Sequence, residues 1–250
     1  MQLAVSDLGF DGIESVADIL QRNGIEYIEV VPSKIKPYYA LNARDMLMYK
    51  DILADYNLKP YSFLSLFYGI EIKDLSEVDK ILNHFQVLIT YAQLTDVKKL
   101  VFGSPALRKK SPDWEQHLQY IFTRLDKMLD NTGISVIIEP VSSYYKAEFW
   151  YETGEIVNFI VNNKLKNIRT MVDTHNAMLE GEDPCLLYLR WKQYIGHIHI
   201  AEIGLGRLKS IEMHLKFSNT IRDYKDVITH EITDKLRLAE SVKIFSEIYK

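Results

Sequence analysis

The chain has 250 residues, of which 47% are hydrophobic and 26% are charged, and its formal net charge is −4 at pH 7. This composition is typical of a globular protein with a full core, and the acidic balance disfavours nucleic acid as a partner. The N-terminal residues do not form a signal peptide, and no apolar run approaches the roughly 18 residues of a membrane span. One cysteine, Cys185, excludes an internal disulfide and favours a reducing compartment. We therefore expect a cytoplasmic protein without a membrane or nucleic-acid partner, and homo-oligomerisation is left open.

Eight short runs rich in β-branched residues recur along the chain about every 30 residues, which is the size of one βα unit. In chain order, the predicted strands are residues 2–7, 27–32, 59–67, 99–104, 135–140, 168–174, 194–202 and 226–232. They are continuous apolar runs rather than alternations of polar and apolar residues. Such runs indicate parallel strands whose sheet is covered by helices.

Amphipathic segments with apolar residues three and four positions apart lie between the strands. The clearest predicted helices are residues 14–24, 76–94, 111–133 and 234–249. In the second of them, Ser76 is the predicted N-cap and Asp79 completes a pattern like a capping box. Eight strand–helix units in 250 residues predict a (β/α)₈ barrel that forms a single domain over residues 1–250. A doubly wound sheet fits less well, because the turn after the first strand lacks the glycine-rich fingerprint.

Polar side chains end the last four predicted strands, where active sites of (β/α)₈ barrels lie. Glu139 ends the fifth strand, Asp173 the sixth, His199 the seventh and Glu231 the eighth. Three carboxylates at one barrel mouth repel each other unless one binds a proton or a cation lies between them. The mixed oxygen and nitrogen ligands suit Mn²⁺, Mg²⁺, Co²⁺ or Zn²⁺. The sequence therefore predicts a divalent-metal site.

The alternation of side chains along a strand assigns roles to the neighbouring histidines. Asp173 and His175 are predicted to share a face, as are His197 and His199. His197 is expected one layer deeper in the barrel, as a hydrogen-bonded core residue. His230 is expected to point away from the site.

Three further residues after predicted strands have two interpretations each. Glu29, near the end of the second strand, fits the floor of the site or an ordinary salt bridge equally well. Phe67 and Trp150 follow strands and are packing residues by default, but they could wall a pocket against the face of a sugar.

Six motifs, in their order and spacing, resemble the xylose-isomerase-like barrel superfamily over nearly the whole chain. The motifs are GFDGIE (9–14), GIEYIEV (24–30), VFGSPALR (101–108), IIEP (137–140), VDTHNAMLEGED (172–183) and GHIHIAE (196–202). That superfamily includes sugar-phosphate isomerases and epimerases, ketose 3-epimerases and the family 2 AP endonucleases. The resemblance implies that Glu139, Asp173, His199 and Glu231 hold one divalent metal ion.

The chain departs from the family pattern at two places that bear on the substrate. The family usually has Asp-x-x-His after the sixth strand, whereas this chain has Asp173, Thr174, His175 and Asn176. The resemblance therefore implies that either Asn176 or His175 binds substrate hydroxyls. Related epimerases also carry a substrate-binding arginine after the seventh strand, and the nearest candidate here is Arg207. Basic residues at 107–110 and 207–209 suit either an anionic substrate group or a solvated surface.

The resemblance implies a metal-dependent isomerase or epimerase that acts on a sugar or a sugar phosphate. The reaction would move a proton through an enediolate, with Glu139 and Glu231 as the acid and base. A dehydratase or lyase acting on a polyol is an alternative, because the same site can expel water from an enediolate. An AP endonuclease is less favoured, because the third and fourth strands end without histidine. A barrel that has lost catalysis and serves as a binding protein is the remaining alternative.

Overall fold

Eight parallel strands close into a barrel in the computed structural model, which describes residues 1–250. The strands follow chain order around the barrel, and the first pairs with the last, with Leu3 opposite Ile228. They are β1 (Gln2–Ser6), β2 (Tyr27–Val30), β3 (Lys59–Phe63), β4 (Lys99–Phe102), β5 (Ser135–Ile138), β6 (Ile168–Asp173), β7 (Ile195–Ile200) and β8 (Val227–His230). The predicted barrel is confirmed.

Ten helices lie between and after the strands. They are α1 (Ala17–Arg22), α2 (Pro32–Ile35), α3 (Ala43–Asp55), α4 (Val78–Thr95), α5 (Trp114–Met128), α6 (Thr153–Asn162), α7 (Thr174–Leu179), α8 (Pro184–Trp191), α9 (Ile211–Thr220) and α10 (Leu238–Tyr249). The connections after β2 and β6 contain two helices each, and every other strand is followed by one. None of these helices combines the length and the apolar character that a membrane crossing requires.

All eight predicted strands form, but each ends earlier than predicted. The third strand stops at Phe63 instead of residue 67, because Ser65 adopts a left-handed backbone conformation with φ of 53°. Leu66 beyond it is still buried, now in a loop that packs on the barrel. An apolar run therefore continues past the hydrogen-bonded strand, and burial alone does not indicate where the strand ends.

The start of α4 differs from the prediction in a similar way. Ser76 is not its N-cap, because the backbone N–H of Ser76 donates a hydrogen bond to Asp74 Oδ1 in a turn before the helix. The helix begins at Val78 and its N-cap, Glu77, makes no side-chain capping bond. A local turn thus takes the place of the predicted capping box.

The barrel interior is polar beneath its mouth. Glu29, Ser62, His197 and Thr229 are all fully buried there. Ser62 donates a hydrogen bond to Glu29 Oε1 at 2.5 Å, and His197 Nε2 lies 3.0 Å from the same oxygen. Thr229 Oγ1 lies 3.2 Å from His197 Nε2. These bonds satisfy groups that would be costly to bury unpaired, and they fix the layer on which the site rests.

Candidate functional site

The four polar residues predicted as metal ligands converge at the barrel mouth. Glu139 follows β5, Asp173 ends β6, His199 lies in β7, and Glu231 follows β8 directly. One possible ligand atom from each lies within 4.8 Å of the others. His199 Nδ1 is 3.6 Å from Asp173 Oδ2 and 3.4 Å from Glu231 Oε2. Neighbouring parallel strands in register bring these side chains together, since Asp173 pairs directly with His199.

The pKa shifts in this cluster show that a positive charge between the carboxylates would be favourable. Burial and the neighbouring charges of Asp173 and Glu231 raise the pKa of Glu139 well above its usual value. Burial disfavours the charged form of His199, but its contacts with Glu29, Asp173 and Glu231 raise its pKa well above its usual value. Each shift favours a bound proton and so reduces the net negative charge in the cluster, because buried carboxylates that lie close together repel each other.

Two buried atoms that face the centre of the cluster make no hydrogen bond, namely Asp173 Oδ2 and His199 Nδ1. Buried polar atoms in folded proteins almost always have a partner, so two such atoms side by side indicate a missing one. A divalent cation would accept lone pairs from both atoms and would relieve the repulsion among the three carboxylates. The donor set of three carboxylates and one imidazole therefore fits a divalent metal ion.

Glu29 lies directly beneath His199 at the floor of the cluster. Its Oε2 is 2.8 Å from His199 Nε2, and both residues are buried. Burial opposes ionisation of Glu29, but the contacts with His199 and His197 hold its pKa well below its usual range. With this carboxylate beside Nε2, the proton of a neutral His199 imidazole would lie on Nε2, and the lone pair would lie on Nδ1 for a metal ion. Glu29 therefore lies beneath the cluster, where it pairs with His197 and His199.

The other two histidines of β7 and β8 lie where the strand alternation predicts them. His197 is one layer below His199, and burial lowers its pKa to about 4. His230 points out of the barrel, where Nδ1 contacts the carbonyl oxygen of Ile200 and Nε2 contacts Ser241 Oγ in α10. Neither belongs to the cluster of four possible ligands.

The predicted shared face of Asp173 and His175 is wrong, because β6 ends at Asp173 and α7 begins at the next residue. Asp173 becomes the N-cap of α7, and its Oδ1 accepts the backbone N–H of Asn176 at 2.9 Å. Two-residue alternation does not apply across a strand–helix junction. The sharp turn keeps Oδ1 occupied and leaves Oδ2 facing the cluster.

Asn176 lies against Glu139 and fixes the position of its carboxylate. Its Nδ2 donates to Glu139 Oε1 at 3.1 Å, and its Oδ1 accepts the backbone N–H of Ser142 at 3.0 Å. Gly103 packs against the other oxygen of this carboxylate, since a Cβ at residue 103 would collide with Glu139 Oε2. Glu139 is therefore confined from two sides.

His175 forms a hydrogen-bonded pair with Tyr145. Nδ1 of His175 is 3.0 Å from the carbonyl oxygen of Glu202, and Nε2 is 2.7 Å from the Tyr145 hydroxyl. A carbonyl only accepts, so the proton of the neutral imidazole lies on Nδ1 and the Tyr145 hydroxyl donates to Nε2. The hydroxyl oxygen keeps lone pairs that can accept a hydrogen bond from a ligand.

A cavity of about 220 Å³ opens onto the cluster. Its lining includes Glu139, Glu231, His175, Asn176, Tyr145 and Ser104. Tyr145 and Ser104 lie in loops, and no periodicity of the sequence singled them out. In the sequence, only the position of their loops could have indicated them, because these loops follow β5 and β4 at the end of the barrel where active sites lie.

Three residues with predicted substrate contacts lie outside this cavity. Phe67 packs against Phe85 and Phe102, with ring centroids 5.3 Å and 5.7 Å apart. Trp150 is only 4% exposed and packs behind the cavity wall. Arg207 is exposed and donates to Glu240 Oε1 at 2.6 Å. Of the five residues predicted to contact substrate, His175 and Asn176 line the cavity, and the other three do not.

Arg108, from the basic run 107–110, is fully buried rather than solvated. Its guanidinium donates to the carbonyl oxygens of Phe102 and Gly103 at 2.9 Å and of Glu139 at 3.2 Å. Burial lowers its pKa to about 9, against the opposing effect of Glu139. Arg108 thus ties the ends of β4 and β5 together behind the site and places a positive charge near the carboxylates.

A family model described as a xylose isomerase-like TIM barrel matches residues 3–230. No curated protein matches the sequence. Among solved structures, a family 2 AP endonuclease from Brucella melitensis has 16% identity, a TM-score of 0.77 and coverage of 99% of both chains. A 3-keto-D-glucoside 4-epimerase from E. coli has 13% identity and a TM-score of 0.75, over 99% of this chain and 97% of that one.

A probable 3-DHS dehydratase from Bacillus anthracis has 12% identity and a TM-score of 0.72, over 99% of this chain and 98% of that one. At these identities the likeness shows a shared fold, while the activities of the three proteins differ from one another. The family model covers most of the chain and agrees with the eight-stranded closed barrel. The chain therefore belongs to the xylose isomerase-like TIM barrel family.

Proposed function

We propose that this protein is a metal-dependent sugar isomerase or epimerase that moves a proton through an enediolate. One observation carries the proposal: a buried cluster of three carboxylates and one imidazole opens into a cavity at the mouth of the barrel. Its unpartnered atoms, Asp173 Oδ2 and His199 Nδ1, support a cation in that place. The epimerase among the structural neighbours shares the fold and supports this class of reaction.

Glu139, Asp173, His199 and Glu231 would hold the ion, which is Mn²⁺, Mg²⁺, Co²⁺ or Zn²⁺. When bound, the ion would polarise neighbouring carbonyl and hydroxyl oxygens of the sugar and acidify the C–H between them. Glu29 would keep the ring of His199 in the orientation that presents Nδ1, and Asn176 would keep one oxygen of Glu139 in place.

Glu139 and Glu231 are the candidates for proton transfer, because both carboxylates line the cavity. Burial and the charges of Asp173 and Glu231 raise the pKa of Glu139, which favours Glu139 as the proton donor, while Glu231 would accept the proton from the substrate carbon. Transfer by two carboxylates on opposite faces of the substrate inverts a carbon, whereas transfer by one carboxylate between adjacent carbons isomerises the sugar. His175 and Tyr145 provide hydrogen-bonding groups for substrate hydroxyls.

The lining of the cavity favours a free sugar over a sugar phosphate. Its polar members are two carboxylates, hydroxyls, an amide and an imidazole. Arg207 is paired with Glu240, and the guanidinium of Arg108 is bound to three carbonyls behind the wall. Phosphate is usually bound by cationic side chains or helix N-termini, whereas hydroxyls and carboxylates suit sugar hydroxyls.

Proton exchange in D₂O tests the proposed reaction directly. Protein loaded with Mn²⁺ should incorporate deuterium next to the carbonyl of at least one free ketose from a panel that also contains the matching phosphates. NMR of the recovered sugars gives the position of exchange, and protein treated with a chelator is the control. Loss of water from the sugar would indicate a dehydratase instead. Absence of exchange in every sugar, with metal content verified, would contradict the proposal.

Glu29→Gln should lower the affinity for Mn²⁺ by about 10–100-fold, the usual cost of changing a group that orients a metal-binding histidine. Glutamine keeps the size of the side chain, but it removes the charge beside His199 Nε2. Titration calorimetry measures the affinity. Ser62→Ala is the matched control, since it removes a hydrogen bond to Glu29 and leaves the carboxylate in place, and its effect should be smaller. Equal affinities for Glu29→Gln and the wild type would show that Glu29 is only a structural residue.

A further inference from the structure

A second cavity of about 370 Å³ adjoins the first. Three residues, Ser65, Ser104 and Pro105, line both cavities. The first cavity alone is smaller than the roughly 300–1,000 Å³ of ligand pockets, whereas the two volumes together fall within that range. The two cavities therefore form one cleft that starts at the carboxylate cluster and continues over the loops after β3 and β4.

Two serines at the junction of the cavities have a backbone conformation that is uncommon for residues other than glycine. Ser65 has φ of 53° and Ser104 has φ of 48°. This conformation ends the extended path of β3 and of β4. The chain that follows each serine, residues 65–72 and 104–107, supplies the walls of the second cavity. The shape of the cleft is thus built into the backbone at both strand ends.

The second cavity differs from the first in its chemistry. Beyond the two serines its lining includes Phe67, Ile70, Ile72 and Leu107. Phe67 is held in place by an edge contact with His84, with ring centroids 4.9 Å apart, and by its contacts with two core phenylalanines. Tyr68, which is 75% exposed, also belongs to the lining. The cleft therefore runs from acidic and hydroxyl groups at one end to apolar groups at the other.

We propose that the substrate is a keto sugar with an apolar alkyl or aryl substituent, and that the substituent occupies the second cavity. A free ketose that entered this cavity would bury hydroxyls against Phe67 and Leu107, and unpaired hydroxyls are costly to bury. An alkyl or aryl group instead gains free energy by leaving water. The sugar part of this inference rests on the proposed function, whereas the apolar subsite is a separate property that binding measurements test.

A series of n-alkyl β-D-glucosides with one to eight carbons tests the subsite without any turnover. Affinity for the Mn²⁺-loaded protein, measured by calorimetry, should rise roughly three- to fourfold for each added methylene until the cavity is filled. Ala106→Trp places a ring in the second cavity only, because Ala106 lines that cavity and not the first. This variant should bind methyl glucoside like the wild type and lose the dependence on chain length.

Leu236→Trp is the matched control, since Leu236 is an exposed loop residue after β8 and lies outside both cavities. It should keep the chain-length dependence of the wild type. The subsite is contradicted if the affinity of the wild type does not change with chain length, or if Ala106→Trp shows the same dependence on chain length as the wild type. Failure of the proposed reaction is detected separately. A dependence of affinity on chain length without deuterium exchange would support the subsite and contradict the proposed reaction. Deuterium exchange without a dependence on chain length would contradict the subsite alone.

Discussion

His199→Ala should leave the purified protein with almost no bound divalent metal. The imidazole is the only nitrogen ligand in the cluster, and its Nδ1 lies between the carboxylates of Asp173 and Glu231. Alanine removes this ligand and leaves the remaining carboxylates to repel each other, so we expect a loss of affinity greater than that of any variant beneath the ligands. Elemental analysis after loading with Mn²⁺ and dialysis measures the metal content.

His197→Ala is the control for that experiment, because His197 lies one layer deeper on the same strand face, where it contacts Glu29 and the ring of His199 but is not one of the four candidate ligands. It should retain most of the metal. Circular dichroism of both variants verifies that the barrel is folded. Equal metal content in the two variants would remove His199 from the ligand set.

Glu139→Gln or Glu231→Gln should lower turnover by at least about 10²-fold, a usual size for the loss of a general acid or base. Glutamine keeps the shape of the side chain but cannot take up a proton, and both carboxylates line the cavity. Each variant should still bind the sugar, so the effect should appear in kcat. Substrate deuterated at the reacting carbon should slow the wild type if proton removal limits the rate.

Glu240→Gln is the matched control, since Glu240 is an exposed carboxylate paired with Arg207 and lies outside the cavity. Its turnover should equal that of the wild type. Metal content must be measured alongside, because Glu139 and Glu231 are also candidate ligands. Near-normal turnover in both cavity variants would leave these residues as ligands or structural groups only.

The barrel and the four converging residues were predictable because both follow from regular spacing. A repeat of about 30 residues is the length of one βα unit, and parallel strands closed in chain order must bring their ends to one mouth. The register of β6 with β7 then places Asp173 beside His199. Nothing more than the order of the strands was needed to group these side chains.

The rest of the site depends on contacts that spacing does not encode. The pairing of Glu29 with His199 joins residues on β2 and β7 across the interior of the barrel. Arg108 is part of a basic run that is typical of a solvated surface, yet three backbone carbonyls bind it in the interior. The contacts of His175 with Tyr145 and Glu202 were unpredictable for another reason: α7 begins immediately after Asp173, so the strand alternation ends one residue earlier than predicted.

The site depends on closure of the whole sheet, because the candidate ligands lie on β5 to β8 while Glu29, beneath His199, lies on β2. Glu231 directly follows β8, the strand that closes the barrel by pairing with β1 from Gln2 to Val5. Until these two strands meet, Glu29 on β2 is not held beneath His199 on β7, so a bound ion would favour the closed over the open barrel. A ligand at 100 times its Kd stabilises the state that binds it by about 2.7 kcal/mol. In folding, metal binding would therefore stabilise the closed barrel over partly assembled states.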